Sequence, residues 1–229
     1  MFGIKQFEHL LCTSKYFFMS DQQQSLEAIR DIKKMMERSS RFISLSGLSG
    51  VSAGIFALIG AGLAYRSIYG YYGRYEDRGR YQGADFMHLV WDLMGIAMGV
   101  LALSLIAAFF FTWKKARRNN VPIWDPTSRK LLINLFIPIV AGGIFVLGLL
   151  HYNEWRFIAP ACLLFYGLAL VNASKYTLSE IRYVGIIEIV LGLVNMWWIG
   201  YGLYFWAVGF GIVHIIYGLA MWWKYDRAA

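Results

Sequence analysis

The stretch FMHLVWDLMGIAMGVLALSLIAAFFFTW, residues 86–113, decides the fold. It runs for 28 residues with Asp92 as its only acidic residue and no lysine or arginine, and KKARR follows at 114–118. About 20 consecutive apolar residues suffice to cross the ~30 Å hydrocarbon core of a bilayer as a helix. A run this long is expected to tilt or protrude. Five further runs of the same kind flank it: 42–65, 131–150, 157–173, 183–199 and 205–223. The chain therefore reads as all-α, a polytopic membrane protein of six transmembrane helices. The fourth and fifth runs lie near the short end of the spanning range.

Composition agrees. Apolar residues make up 58% of the 229 residues and charged residues 16%, against roughly 45–50% and ~25% in soluble domains. The deficit of charge is the more telling number, because a soluble protein of this size needs charge to cover its surface. The net charge of +8 does not point to nucleic acid, since the basic residues sit between apolar runs as juxtamembrane anchors do. Of the 22 lysines and arginines, 17 fall on one side of the six runs and 5 on the other. The positive-inside rule then places both termini in the cytoplasm. Small size and short loops suggest a bacterial inner membrane. Trp and Tyr gather at the run ends, among them Trp91, Trp113, Trp155, Tyr183, Trp222 and Trp223, as an interfacial belt requires. Cys12 and Cys162 are expected on different levels, so no disulfide is expected.

Residues 1–20 read as a flexible tail. Lys5, Glu8, His9 and Lys15 interrupt the apolar core that a signal peptide needs, and Met19 reads as a natural start. Residues 21–41 read as an amphipathic interfacial helix. Leu26, Ile29, Ile32 and Met36 recur at spacings of three and four, with Ser25 as N-cap and Lys33 and Glu37 paired on the polar side. Such a helix can lie on the membrane or dock a partner protein. Asp125-Pro126 reads as an N-cap followed by proline at the first helical position, and Pro138 is expected to kink the third helix.

Short words recur between runs. Gly54-Ile55-Phe56 matches Gly143-Ile144-Phe145. Val146-Leu147-Gly148-Leu149 matches Val190-Leu191-Gly192-Leu193. Tyr166-Gly167-Leu168-Ala169 matches Tyr217-Gly218-Leu219-Ala220. Odd runs match odd and even match even, which suggests three tandem helical hairpins. On these words the chain resembles small bacterial six-helix membrane proteins built from three hairpins, such as the HdeD-type acid-resistance family. The resemblance brings no functional residue with it.

Polar groups in lipid are the candidates for function. The fifth run places Gly185, Glu188, Gly192 and Asn195 on one face, and the sixth places Gly211, His214 and Gly218 on one face. Counting 1.5 Å per residue from the shared turn gives Glu188 and His214 similar depths, so they are expected to meet. The pair is either proton-responsive, a cation site, or a neutral, hydrogen-bonded pair that fixes helix register. The second run carries His88 and Asp92, and the next turn on the same side carries His151 and Glu154. All four are metal-ligand types. Ordinary interfacial polarity is the competing account. Between the first two runs, Tyr71 and Tyr72 stand among Arg66, Arg74, Arg78 and Arg80. This mixture suits headgroups or a protein partner and equally suits an anchoring loop with snorkelling arginines. Ser46, Gly50 and Gly54, with Ser49, Ala53, Ala57 and Ala61, form small-residue rows that allow close helix approach, within the chain or in a homo-oligomer.

No phosphate loop and no nucleophile–base arrangement is present in the sequence, and no cofactor is expected. Three functions follow from these residues. The first is a non-enzymatic membrane protein that binds, senses or scaffolds. The second is a proton- or cation-coupled transporter or channel acting as an oligomer. The third is a membrane-embedded metal enzyme.

Overall fold

A computed structural model describes residue 29 and residues 46–78, 83–119, 122 and 124–227. The chain divides into two compact units, Met1–Arg41 and Phe42–Ala229. In the first unit only Ile29 is described, helical and exposed. The expected tail over 1–20 and the rest of the amphipathic helix over 21–41 lie outside the described residues.

The described residues of the second unit are all-helical in class, with short turns between helices and no strand. It comprises α1 (Gly47–Arg78), α2 (Gly83–Arg118), α3 (Pro126–His151), α4 (Ile158–Ala173) and α5 (Glu180–Asn195). A composite last helix follows, built from α6 (Gly202–Trp206), a π-helical stretch (Ala207–Val213), α7 (His214–Met221) and a second π-helical stretch (Trp222–Asp226). Among the described residues, five helices are long and apolar enough to cross a membrane: Gly47–Tyr72, Phe86–Arg118, Pro126–His151, Trp155–Tyr176 and Ile199–Asp226. This marks an integral membrane protein. At 16 residues, α5 is shorter, about 24 Å by helical rise. None of the most apolar stretch of α2 is buried; Met98, Leu105, Ile106 and Phe109 are 60–68% exposed. Acyl chains can cover such a face, and water cannot do so without large cost.

Local chemistry sets the helix ends. Asp125 caps α3: its carboxylate accepts from Ser128 N–H, the Ser128 hydroxyl accepts from Asp125 N–H, and Pro126 opens the helix. The helix is continuous through Pro138. Asn153, at φ 59°, turns the chain from α3 into α4, a left-handed position that Asn tolerates.

Residues 66–78 are not loop but the continuation of α1, which extends to Arg78. Arginine and glutamate are good helix formers, and Tyr65, Tyr69 and Tyr72 recur at helical spacing, with the Tyr65 and Tyr69 rings stacked 6.3 Å apart.

Small residues bring the helices together. A Cβ on Gly185 would lie 2.7 Å from Gly167 O, and one on Gly167 2.6 Å from Gly185 O. The α4 and α5 backbones therefore touch. Likewise a Cβ on Gly218 would lie 2.5 Å from Val51 N, and one on Gly54 2.6 Å from Gly211 O, so α1 and the last helix touch too. The small-residue row of α1 thus faces the chain's own last helix. In addition, α2 packs on α1, and α3 packs on α4.

The end of the bundle holding the start of α1 and the end of the last helix is closed by ionic contacts. Asp226 accepts from the Ser46 hydroxyl and from Gly47 N–H, both at 3.0 Å, and pairs with Lys115 at 2.7 Å. Lys224 and the Tyr225 hydroxyl both donate to Glu180 Oε1. Glu180 precedes the apolar run that begins at Tyr183. Partial burial opposes ionisation of its carboxyl, but the hydrogen bonds from Lys224 and Tyr225 prevail and hold its pKa at about 2, below the ordinary 4.5. A carboxyl lowered on folding stabilises the protein above its unfolded pKa, and the contribution fades as pH falls through the folded value. Glu180→Gln is therefore expected to lower the unfolding midpoint near neutral pH. The difference from wild type should shrink between about pH 4.5 and 2. Melting curves of both proteins across that range check it; a constant difference would remove Glu180 ionisation as the cause.

Candidate functional site

The face of α5 predicted to carry polar groups is the buried one. Gly185, Glu188, Gly192 and Asn195 are all buried, and Glu188 and Asn195 are 0% exposed. Three small residues make this enclosure. Gly185 meets α4 at Gly167, and a Cβ on Gly192 would lie 2.9 Å from Leu164 N and 3.0 Å from Pro160 O. From the last helix, Gly209 presents its Cα, where a Cβ would run into Glu188 Oε2 and Leu163.

His214 begins α7, directly after the π-helical stretch. Its Nδ1 lies 2.9 Å from Gly209 O and its Nε2 lies 2.8 Å from the Tyr166 hydroxyl. A carbonyl only accepts, so Nδ1 carries the hydrogen. With a neutral ring, Nε2 then accepts from Tyr166 O–H. Phe210 and Tyr166 flank the imidazole, with centroids 6.1 and 5.5 Å from it. The wider turn of a π-helix is a frequent feature of functional helices. Here it lets Gly209, five residues before His214, accept the side-chain hydrogen bond.

Glu188 Oε1 lies 3.5 Å from His214 Nδ1. Because Nδ1–H already points to Gly209, this is proximity without a hydrogen bond. Neither carboxyl oxygen has a hydrogen-bond partner among the described residues, and the same holds for both side-chain atoms of Asn195. An ionised carboxylate deep in a bilayer costs several kcal/mol unless paired. The one basic side chain that contacts Glu188, among the described residues, is His214. The site is thus a single Glu–His pair held by α4, α5 and the last helix, with two buried polar side chains seven residues apart on α5 that have no hydrogen-bond partner among the described residues. Gly211 and Gly218, on the His214 face, are buried as contacts to α1 rather than to Glu188: a Cβ on Gly211 would run into Leu58.

The other candidates do not join it. His88 and Asp92 stand on the exposed side of α2. His151 is exposed against the Tyr152 ring, and Glu154 pairs with Arg156 at 3.3 Å. Among the described residues no three His, Cys, Asp or Glu groups gather as a metal site. Tyr71 is turned inward, its ring 6.3 Å from Phe86, while Tyr72 and Arg66 are exposed. Arg80 and the side chains of Arg74 and Arg78 lie outside the described residues. Cys162 is free, and Cys12 lies outside the described residues.

Tyr166 and Gly209 are the site members that sequence reasoning missed. Tyr166 stands in the repeated Tyr-Gly-Leu-Ala word, which reads as a sign of hairpin repetition and says nothing of a hydrogen-bonding hydroxyl. No family model, curated protein or solved structure matches the chain.

Proposed function

We propose that this protein is a small polytopic membrane protein of the non-enzymatic binding, sensing or scaffold type, with six transmembrane helices arranged as three hairpins and preceded in the chain by an interfacial amphipathic helix. Both termini face the cytoplasm, and the membrane is a bacterial inner membrane. The hydrogen bonds of His214 to Tyr166 and to Gly209, with Glu188 packed beside the ring, serve as the lock that sets the register of α4, α5 and the last helix. The observation that carries this reading is the complete enclosure of Glu188 behind backbone-level glycine contacts at Gly185, Gly192 and Gly209. A translocation path needs water or a mobile ion to reach its ionisable group; close helix packing around the carboxyl favours a lock. The orientation is supported by the 17-to-5 division of basic residues. The repeated words support the hairpin arrangement. An exposed face on α2 leaves room for a homo-oligomer or a protein partner in the membrane, and the N-terminal helix and outer end of α1 for partners beside it.

A second reading has one observation in its favour. Glu188 and Asn195 are both buried without partners on one face of α5, as expected of groups that wait for water, a proton or a cation. The deciding experiment is proton and cation flux in proteoliposomes, with wild type compared with Glu188→Gln and His214→Ala. The lock predicts no flux from wild type under any gradient and reduced thermal stability in His214→Ala. Gradient-driven flux that disappears in folded Glu188→Gln would replace it with coupled transport.

A further inference from the structure

We propose that the basic end of the bundle carries a binding site for a phosphate-bearing anion, filled in the membrane by the headgroup of an anionic phospholipid. A cavity of about 170 Å³ opens there between α1, α2 and the last helix, lined by Leu48, Phe111, Lys114, Arg118, Trp222 and Tyr225 among others. This is far above the ~10–15 Å³ that a single water needs.

The charge in the cavity is uneven. Asp226 also lines it, but its carboxylate is already engaged by Lys115, Ser46 and Gly47 N–H. One acidic charge therefore offsets Lys115 and the positive end of α1. Lys114 and Arg118 remain, exposed and making no ion pair among the described residues. They are four residues apart on α2 and so share a face. Asn119 adds an amide. Arginine offers a planar fork suited to phosphate oxygens and lysine a point charge.

Position selects the source of the phosphate. Trp113, Trp222 and Trp223 mark the interfacial level on both helices, and Leu48 and Phe111 give the cavity an apolar side. A site with two cations at headgroup depth and an apolar wall below them fits a glycerophospholipid. Basic pockets between helices on the positive side of a membrane protein recognise such headgroups. This inference does not rest on the role of Glu188 and His214.

The test uses the full chain in nanodiscs of phosphatidylcholine, with and without phosphatidylglycerol, and counts bound lipid by native mass spectrometry. Wild type is expected to retain phosphatidylglycerol selectively, and K114Q/R118Q to bind it about 30-fold more weakly, given roughly 1 kcal/mol for each basic residue near an anionic surface. A control, R129Q/K175Q, removes two exposed basic residues outside the cavity and should leave selectivity intact. Inorganic phosphate added to phosphatidylcholine nanodiscs separates the sources. If it raises the wild-type melting midpoint but not that of K114Q/R118Q while phosphatidylglycerol shows no selectivity, the site takes free phosphate. Equal phosphatidylglycerol binding by wild type and K114Q/R118Q without any phosphate response, or an equal loss in the control, overturns the site.

Discussion

Gly185→Val is expected to force α4 and α5 apart and to lower stability by about 3 kcal/mol or more, at the upper end of what overpacking costs. The reason is what the new side chain would strike. A Cβ at position 185 lies 2.7 Å from Gly167 O and 2.9 Å from Val171 N, which are backbone atoms of a rigid helix and cannot rotate away. The contact is reciprocal, so Gly167→Val should cost a similar amount. Because the two substitutions strike the same crossing, their effects should combine to less than the sum. Gly143 and Gly148 provide the control, since a Cβ at either meets nothing within 4 Å. There Gly→Ala should be neutral or stabilising by up to ~1 kcal/mol from helix propensity. Thermal midpoints in one detergent compare all four. Wild-type melting of Gly185→Val would mean that the two helices do not cross at their glycines.

The membrane fold was legible because hydropathy over 20 residues integrates many weak signals into one. Depth was legible for the same reason: residue counting from a shared turn brought Glu188 and His214 to one level, and they lie 3.5 Å apart. What a linear pattern does not encode is which way a helix faces and where its geometry changes. The run order puts His88, Asp92, His151 and Glu154 on one expected side, yet His88 and Asp92 are exposed on α2, so an expected common level did not become a common site. The π-helical stretch before His214 has no composition of its own, since Ala207–Val213 reads as any apolar segment. Its consequence, Gly209 O as the acceptor for Nδ1, appears only in three dimensions. Tyr166 was hidden by distance in sequence, 48 residues from the ring it meets. Glycines gave a better guide than polar residues. The repeated Tyr-Gly-Leu-Ala words each place their glycine, Gly167 and Gly218, where two backbones touch.

The Glu188–His214 pair should respond asymmetrically to the loss of its two members. His214→Ala is expected to cost about 3–5 kcal/mol, from the cavity left by a buried ring and from two buried hydrogen-bonding groups left unpaired. It leaves Tyr166 O–H and Gly209 O without their partner, empties the space beside Phe210, and takes away the basic group next to Glu188. Glu188→Leu makes the opposite case. The carboxyl oxygens make no hydrogen bond among the described residues, so an apolar side chain of similar volume loses none. Removing a buried polar group that has no partner also removes the ~1–3 kcal/mol cost of burying it unpaired, so the exchange is expected to be neutral or stabilising. Introduced into Glu188→Leu, His214→Ala should cost less than in wild type, because no lone carboxyl is left behind. The coupling should fall in the ~0.5–3 kcal/mol range of residues in contact. Unfolding of the four proteins in one detergent closes the cycle. A Glu188→Leu protein as unstable as His214→Ala would mean that the carboxyl holds something the helices do not supply, a water or a cation. That result would move the protein from the locked scaffold to the transport reading, because a bound mobile species at Glu188 is what transport requires and a lock does not.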